Sequence, residues 1–157
     1  MEQYLICHEF FFIFGVFSKI IKMPYNITWE PQGVFIKWFD KCTYKENIEA
    51  NGMLYGDKRF DSILYQISDI LDADTSTFTN QDVTIIAKLE MKATVWNKNM
   101  LVAHITKNKE LIEQIRLYEA EMKDSNWRFG IFDSLEEART WIEKELESNS
   151  PENKDSL

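Results

Sequence analysis

The chain has 157 residues, 45% of them hydrophobic, 28% charged and 14% aromatic, and its formal net charge is −8. That length suits one domain with its own core, while the acidic balance argues against a nucleic-acid backbone or an anionic lipid surface as partner. Two cysteines (Cys7, Cys42) and two histidines (His8, His104) fall into no ligand spacing, which predicts neither a structural metal nor a disulfide framework and makes a reducing, cytoplasmic setting the expectation.

Residues 1–22 differ in character from the rest. Phe10 to Phe17 is the longest apolar run. It does not read as a secretory signal, because Glu2 leads it without a basic residue and no small-residue cleavage site follows. His8 and Glu9 interrupt it well short of the ~20 apolar residues that a membrane span needs, so stable membrane insertion is not expected. Met23 opens a second plausible start, and residues 1–22 are read as a non-native or peripheral extension of a domain covering 23–147.

Asn26 to Trp29 reads as a strand, Glu30-Pro31-Gln32-Gly33 as a turn with Gly33 available for a positive φ, and Val34 to Phe39 as a second strand with Val34, Ile36 and Trp38 on one face. Thr43-x-x-Glu46 is a capping box that starts a helix ending near Tyr55. Asp57 to Asp61 turns the chain into an apolar central strand from Ser62 to about Ile70, followed by a polar loop over 71–78. Thr79 caps a helix predicted to run to about Lys98, with Ile86, Leu89, Ala93 and Trp96 as its apolar stripe. Leu101 to Thr106 is a strand. Asn108 caps a helix whose buried stripe is Leu111, Ile115, Tyr118 and Met122. Trp127 to Phe132 is the last strand, and Ser134-x-x-Glu137 starts a final helix burying Leu135, Ala138, Trp141 and Ile142. The polar stretch 148–157 has the composition of a disordered tail.

The order β-β-α-β-α-β-α-β-α predicts an α/β domain. Its mixed sheet would have about five strands, an N-terminal antiparallel hairpin followed by largely parallel strands, covered by about four helices.

Three stretches carry a family resemblance: Ile-Thr-Trp-Glu-Pro-Gln-Gly-Val (27–34), Asp-Lys-Arg-Phe-Asp-Ser-Ile-Leu-Tyr-Gln-Ile-Ser-Asp (57–69) and Ile-Phe-Asp-Ser-Leu-Glu-Glu-Ala-Arg-Thr-Trp-Ile (131–142). With them the chain resembles the small, mostly uncharacterised bacterial SpoIIAA-like proteins, relatives of the STAS fold with a likeness to the SEC14 lipid-binding domain. The resemblance implies an α/β fold and a small cytoplasmic protein that binds a partner protein. STAS relatives carry a phosphorylated serine in an Asp-x-Ser motif. The equivalent stretch here, Asp72-Ala73-Asp74-Thr75-Ser76-Thr77-Phe78-Thr79, lacks that motif, and no phosphoserine is carried over.

In open α/β sheets, ligands sit beyond the carboxyl ends of the strands. That rule selects Ser68, Asp69, Asp72, Asp74, Thr106 and Lys107 as candidate ligand- or partner-binding residues, with Asp133 after the last strand; the competing reading is turn and cap chemistry. Asp57, Arg59 and Asp61 read as turn formers with a surface ion pair. His104, in an apolar strand, reads as a satisfied core or edge residue, and Cys42 as an inert thiol. Trp38, Phe39 and Trp127 would mark a binding face if exposed. Neither a Gly-rich phosphate loop nor a nucleophile elbow occurs, so neither catalysis nor a cofactor is expected. The leading expectation is a non-enzymatic regulatory or protein-interaction module. The alternative is a small-ligand or lipid binder, marked by an apolar cavity lined by the Ile86–Trp96 helix.

Overall fold

The computed structural model describes residues 23–148; the expectations for 1–22, Cys7 and His8 among them, and for 149–157 lie outside it. Strands β1 (Tyr25–Glu30), β2 (Gly33–Lys41), β3 (Tyr65–Asp74), β4 (Leu101–Ile105) and β5 (Arg128–Phe132) form one sheet in the order β1-β2-β3-β4-β5. β1 and β2 are antiparallel and the other neighbours parallel. Helices α1 (Tyr44–Tyr55), α2 (Asn80–Ala93), α3 (Lys109–Glu121) and α4 (Leu135–Ser148) connect or follow the strands. The mixed five-stranded sheet is as predicted.

Strand alternation divides the core in two. Val34, Ile36, Trp38 and Val102 face α1, α2 and α3 with Ala50, Leu54, Ile86 and Tyr118. Ile67, Leu101, Ala103 and Ile105 face α4 with Ala138 and Ile142. β3 is central and carries buried residues on both faces, as its near-continuous apolar run requires.

The helix starts follow the sequence. In α1 the Glu46 carboxylate accepts from the Thr43 backbone N–H at 2.9 Å and from the Thr43 hydroxyl. In α2 Asp82 accepts from Thr79 N, and Thr79 Oγ1 accepts from Asp82 N. Asn108 Oδ1 accepts from Glu110 N and Leu111 N. Each cap satisfies amide donors that a helix terminus leaves unpaired.

Four expectations are corrected. Ser62 belongs to a 3₁₀ turn, Lys58–Ser62, capped by Asp57, and β3 starts only at Tyr65. β3 also continues through 71–74, which the polar composition marked as loop. One extra residue of β3 is accommodated where Lys37 pairs with Asp69 but Phe39 with Asp72. Asp69 Oδ1 accepts from Leu71 N at 3.1 Å and supports this bulge. Third, α2 ends at Ala93, not Lys98. Trp96 is 58% exposed and Leu89 40%, so neither belongs to the core stripe. Trp96→Ser is therefore expected to change stability by no more than about 0.5 kcal/mol in urea unfolding, where a core Trp would cost several. Fourth, Gly33 has no positive φ. Glycine is needed there because a Cβ would lie 2.2 Å from the Tyr65 ring. That ring is held by its hydroxyl donating to Glu30 at 2.6 Å, and Arg139 of α4 grips the same carboxylate with two nitrogens.

The turn after α2 is held by a buried amide. Asn97 Nδ2 donates to the carbonyls of Phe60 and Ile63, both at 2.8 Å, and the Asn97 carbonyl accepts from Trp127 Nε1 at 2.7 Å. Trp127 and Trp38 are each 5% exposed and so belong to the interior, not to an exposed surface face. Asn97→Ala leaves two buried carbonyls short of a donor and is expected to cost about 2 kcal/mol by chemical denaturation.

Candidate functional site

The sequence-predicted site residues are scattered by the fold. Ser68 is buried on the face of β3 that meets α1–α3. Asp69, one residue on, takes the opposite side and bonds Lys37 Nζ at 3.0 Å, while exposed Asp72 holds the same lysine at 2.6 Å. Asp74 is exposed and accepts from Ser76 N, a local turn bond. Thr106 is fully buried, and its hydroxyl accepts from Asn108 N at 3.2 Å next to the α3 cap. Lys107 is exposed, and Asp133 N donates to Glu137 Oε2 at the start of α4. Of the six candidate residues only Ser68 lines this cavity; the acids and Thr106 carry out turn, bulge and cap work.

That cavity lies between the sheet and helices α1–α3 and has a volume of about 100 Å³. Its floor is Gln66 and Ser68 of β3 and His104 of β4, with Ser68 and His104 directly paired across the parallel ladder. Its roof is Asn51 of α1, Val83, Ile86 and Glu90 of α2, and Leu111, Gln114, Ile115 and Tyr118 of α3. Toward the carboxyl ends of the strands it is lined by Ile70, Thr75 and Phe78. These three are half-buried, as is His104, whereas Gln66 and Ser68 are buried. The carboxyl-end rule thus leads to one rim of the cavity, and Ser68 alone of the residues it selected lines it.

Glu90 is the acid of the cavity. It occupies α2's buried stripe with Val83, Ile86 and Ala93. Asn51 Nδ2 donates to its Oε1 at 2.7 Å, the Tyr118 hydroxyl donates to Oε2, and the Tyr55 hydroxyl also bonds it. Burial raises the carboxyl above the usual range, and these donors offset that only in part. Glu90 in turn adds to burial in raising the Tyr55 and Tyr118 phenols.

His104 differs from the expected satisfied histidine. Its Nδ1 is buried and has no hydrogen-bond partner among the described residues. The ring meets Tyr118 edge to face at a centroid distance of 5.8 Å. Burial depresses the imidazole to about 4, so it is neutral at pH 7. Cys42 also lines the cavity; burial pushes its thiol up to about 11, and its Sγ–H lies 3.7 Å from Pro24 O. A thiol held protonated is a poor nucleophile.

The sequence did carry a signal for this site. Gln66 and Ser68 place polar groups at alternate positions of an otherwise apolar strand, and Glu90 interrupts an apolar helix stripe. An acid in a buried stripe is rare unless it is paired.

No known protein family matches the sequence, and neither does any curated protein. Among solved structures, the chain is similar to an uncharacterised protein of the DUF3478 family from Shewanella loihica, described as having a SpoIIAA-like fold. The TM-score is 0.50 at 17% identity, over 75% of this chain and 91% of that one. The fold is SpoIIAA-like. At that identity the likeness concerns the fold alone, and the SpoIIAA-like frame positions the cavity without naming its occupant. Among the described residues no helix is long and apolar enough to cross a membrane.

Proposed function

We propose that this SpoIIAA-like chain is a non-enzymatic ligand-binding module whose ligand enters between helices α1–α3 and the sheet. The observation that carries the reading is the cavity at His104, where a buried ring nitrogen lacks a partner. Buried polar groups are normally hydrogen-bonded, and an orphan in a cavity wall points to a bound water or ligand. The absence of catalysis in the proposal rests on how the titratable groups are occupied. Glu90 is committed to three donors, His104 is held neutral, and the Cys42 thiol is held protonated.

A protein-interaction role is the second reading. Its support is the exposed apolar pair after α2, Val95 at 71% and Trp96 at 58%. Aromatic side chains are enriched at the centres of interfaces.

Native mass spectrometry of the full chain, purified gently from its own host, separates the two. The ligand reading expects a small-molecule adduct that is released on denaturation. A bare chain together with an empty organic extract overturns it, and a stoichiometric protein complex promotes the second reading.

A further inference from the structure

Resting on the ligand-binding reading, we infer that the cavity takes a small uncharged molecule, of the size of a short aliphatic chain, with a hydroxyl at one end. Size sets the first limit. An apolar cavity of about 150 Å³ takes benzene; one of about 100 Å³ has room for roughly four heavy atoms on that scale. A long acyl chain does not fit.

Charge sets the second limit. Neither Lys nor Arg is among the cavity-lining residues, and the one carboxylate there, Glu90, has both oxygens hydrogen-bonded. An anionic guest would be buried without a counter-charge, which is costly. A cationic guest would have to displace the donors that Glu90 already holds.

The third limit is the division of the walls. Val83, Ile86 and Ile115 supply apolar surface from the helices. The sheet supplies the polar capacity that is still unused. His104 Nδ1 has no partner, and the Ser68 hydroxyl receives only a long bond, 3.5 Å, from Gln66 Nε2. Ser68 and His104 are neighbours across the ladder, so one hydroxyl can reach both. A neutral imidazole can accept from a hydroxyl, and a serine can both donate and accept. The depressed basicity of His104 fits that use.

The test is a titration of the isotope-labelled full chain at pH 7 with 1-propanol, 1-chloropropane and acetate, followed through the His104 ring and Ser68 amide resonances. 1-Propanol is expected to bind and shift both. 1-Chloropropane, lacking the hydroxyl, should bind roughly tenfold more weakly, the weight of one neutral hydrogen bond. Acetate should shift neither. 1-Chloropropane binding as well as 1-propanol, or acetate binding at all, overturns the ligand class while the ligand-binding reading stands. If none of the three shifts these resonances, the inference falls, and native mass spectrometry decides the ligand-binding reading separately. Ile86→Phe narrows the cavity and should abolish 1-propanol binding; full binding by that variant places the alcohol elsewhere and overturns the inference. Ser68→Ala, a milder change, should weaken 1-propanol several-fold and leave 1-chloropropane unchanged.

Discussion

Glu90→Ala is expected to lower unfolding stability by about 3 kcal/mol, whereas Glu90→Gln loses about 1 kcal/mol or less. Alanine removes the acceptor for Asn51 Nδ2 and for the Tyr118 and Tyr55 hydroxyls. Each buried donor left unpaired costs about 1–3 kcal/mol. Relief of the buried carboxyl's own desolvation offsets part of that total, and for this reason the expected loss lies near the bottom of the summed range. Glutamine keeps the shape. Its carbonyl can accept from Asn51 while its amide donates to the Tyr118 oxygen, a phenol being able to act either way. Urea denaturation of the two variants at pH 7 decides the matter. Equal losses would mean that Glu90 acts by charge, not as a hydrogen-bond acceptor.

The same residue predicts a pH dependence. Its carboxyl is raised in the folded state, so the native protein holds a proton that the unfolded chain releases. Stability from this group is present below the unfolded carboxyl value, near 4.3, and is lost as pH rises through the folded value. Glu90→Gln removes that dependence, and the difference between wild type and variant isolates it from the other carboxylates.

Removing His104 is expected to make the protein less sensitive to acid. The imidazole titrates at about 4 when folded and near 6.5 when unfolded. Between those values the unfolded chain carries a proton that the folded protein does not, so stability rises with pH. It is complete above 6.5 and is lost as pH falls toward 4, by about 3 kcal/mol over the window. Lowered carboxylates such as Asp57, which titrates at about 2, lose stability in the same direction but further into acid. Subtracting His104→Phe from wild type leaves a step confined to pH 4–6.5. A difference curve that is flat there would mean that His104 accepts a proton in the folded state. The cause of the shift is burial alone, and any ligand that donates to the imidazole should deepen it.

Much of the fold can be read from local signals. Three helix starts are marked by local caps: the Thr79 and Asn108 side chains accept from backbone donors within three residues, and at Thr43 the backbone N–H donates to the Glu46 carboxylate. Such bonds need no tertiary partner, so the sequence states them directly. The α3 stripe of Leu111, Ile115, Tyr118 and Met122 is likewise buried throughout. The reading failed where distant residues took over. Residues 71–74 look like loop by composition, yet they continue β3 because Phe39, Asp40 and Lys41 of β2 offer them a pairing edge. Trp96 fits a helical period, but α2 stops three residues earlier and the ring faces water.

The site divides in the same way. The sequence by itself determined the strand and helix order, the caps and the acidic balance, because each depends on neighbours along the chain or on composition. It also pointed to Ser68. Only the tertiary structure decided that Asp69 and Asp72 serve a lysine on the far side of the sheet, and that Gln66, Ser68 and His104 share a floor beneath Glu90. Those facts depend on which strands pair, in which register, and on which face three helices settle. A one-residue change of register would turn Ser68 to the α4 side and Asp69 to the cavity. The physical reason is that side-chain direction in a strand alternates with every residue, while what each face meets is fixed by packing between segments far apart in the chain.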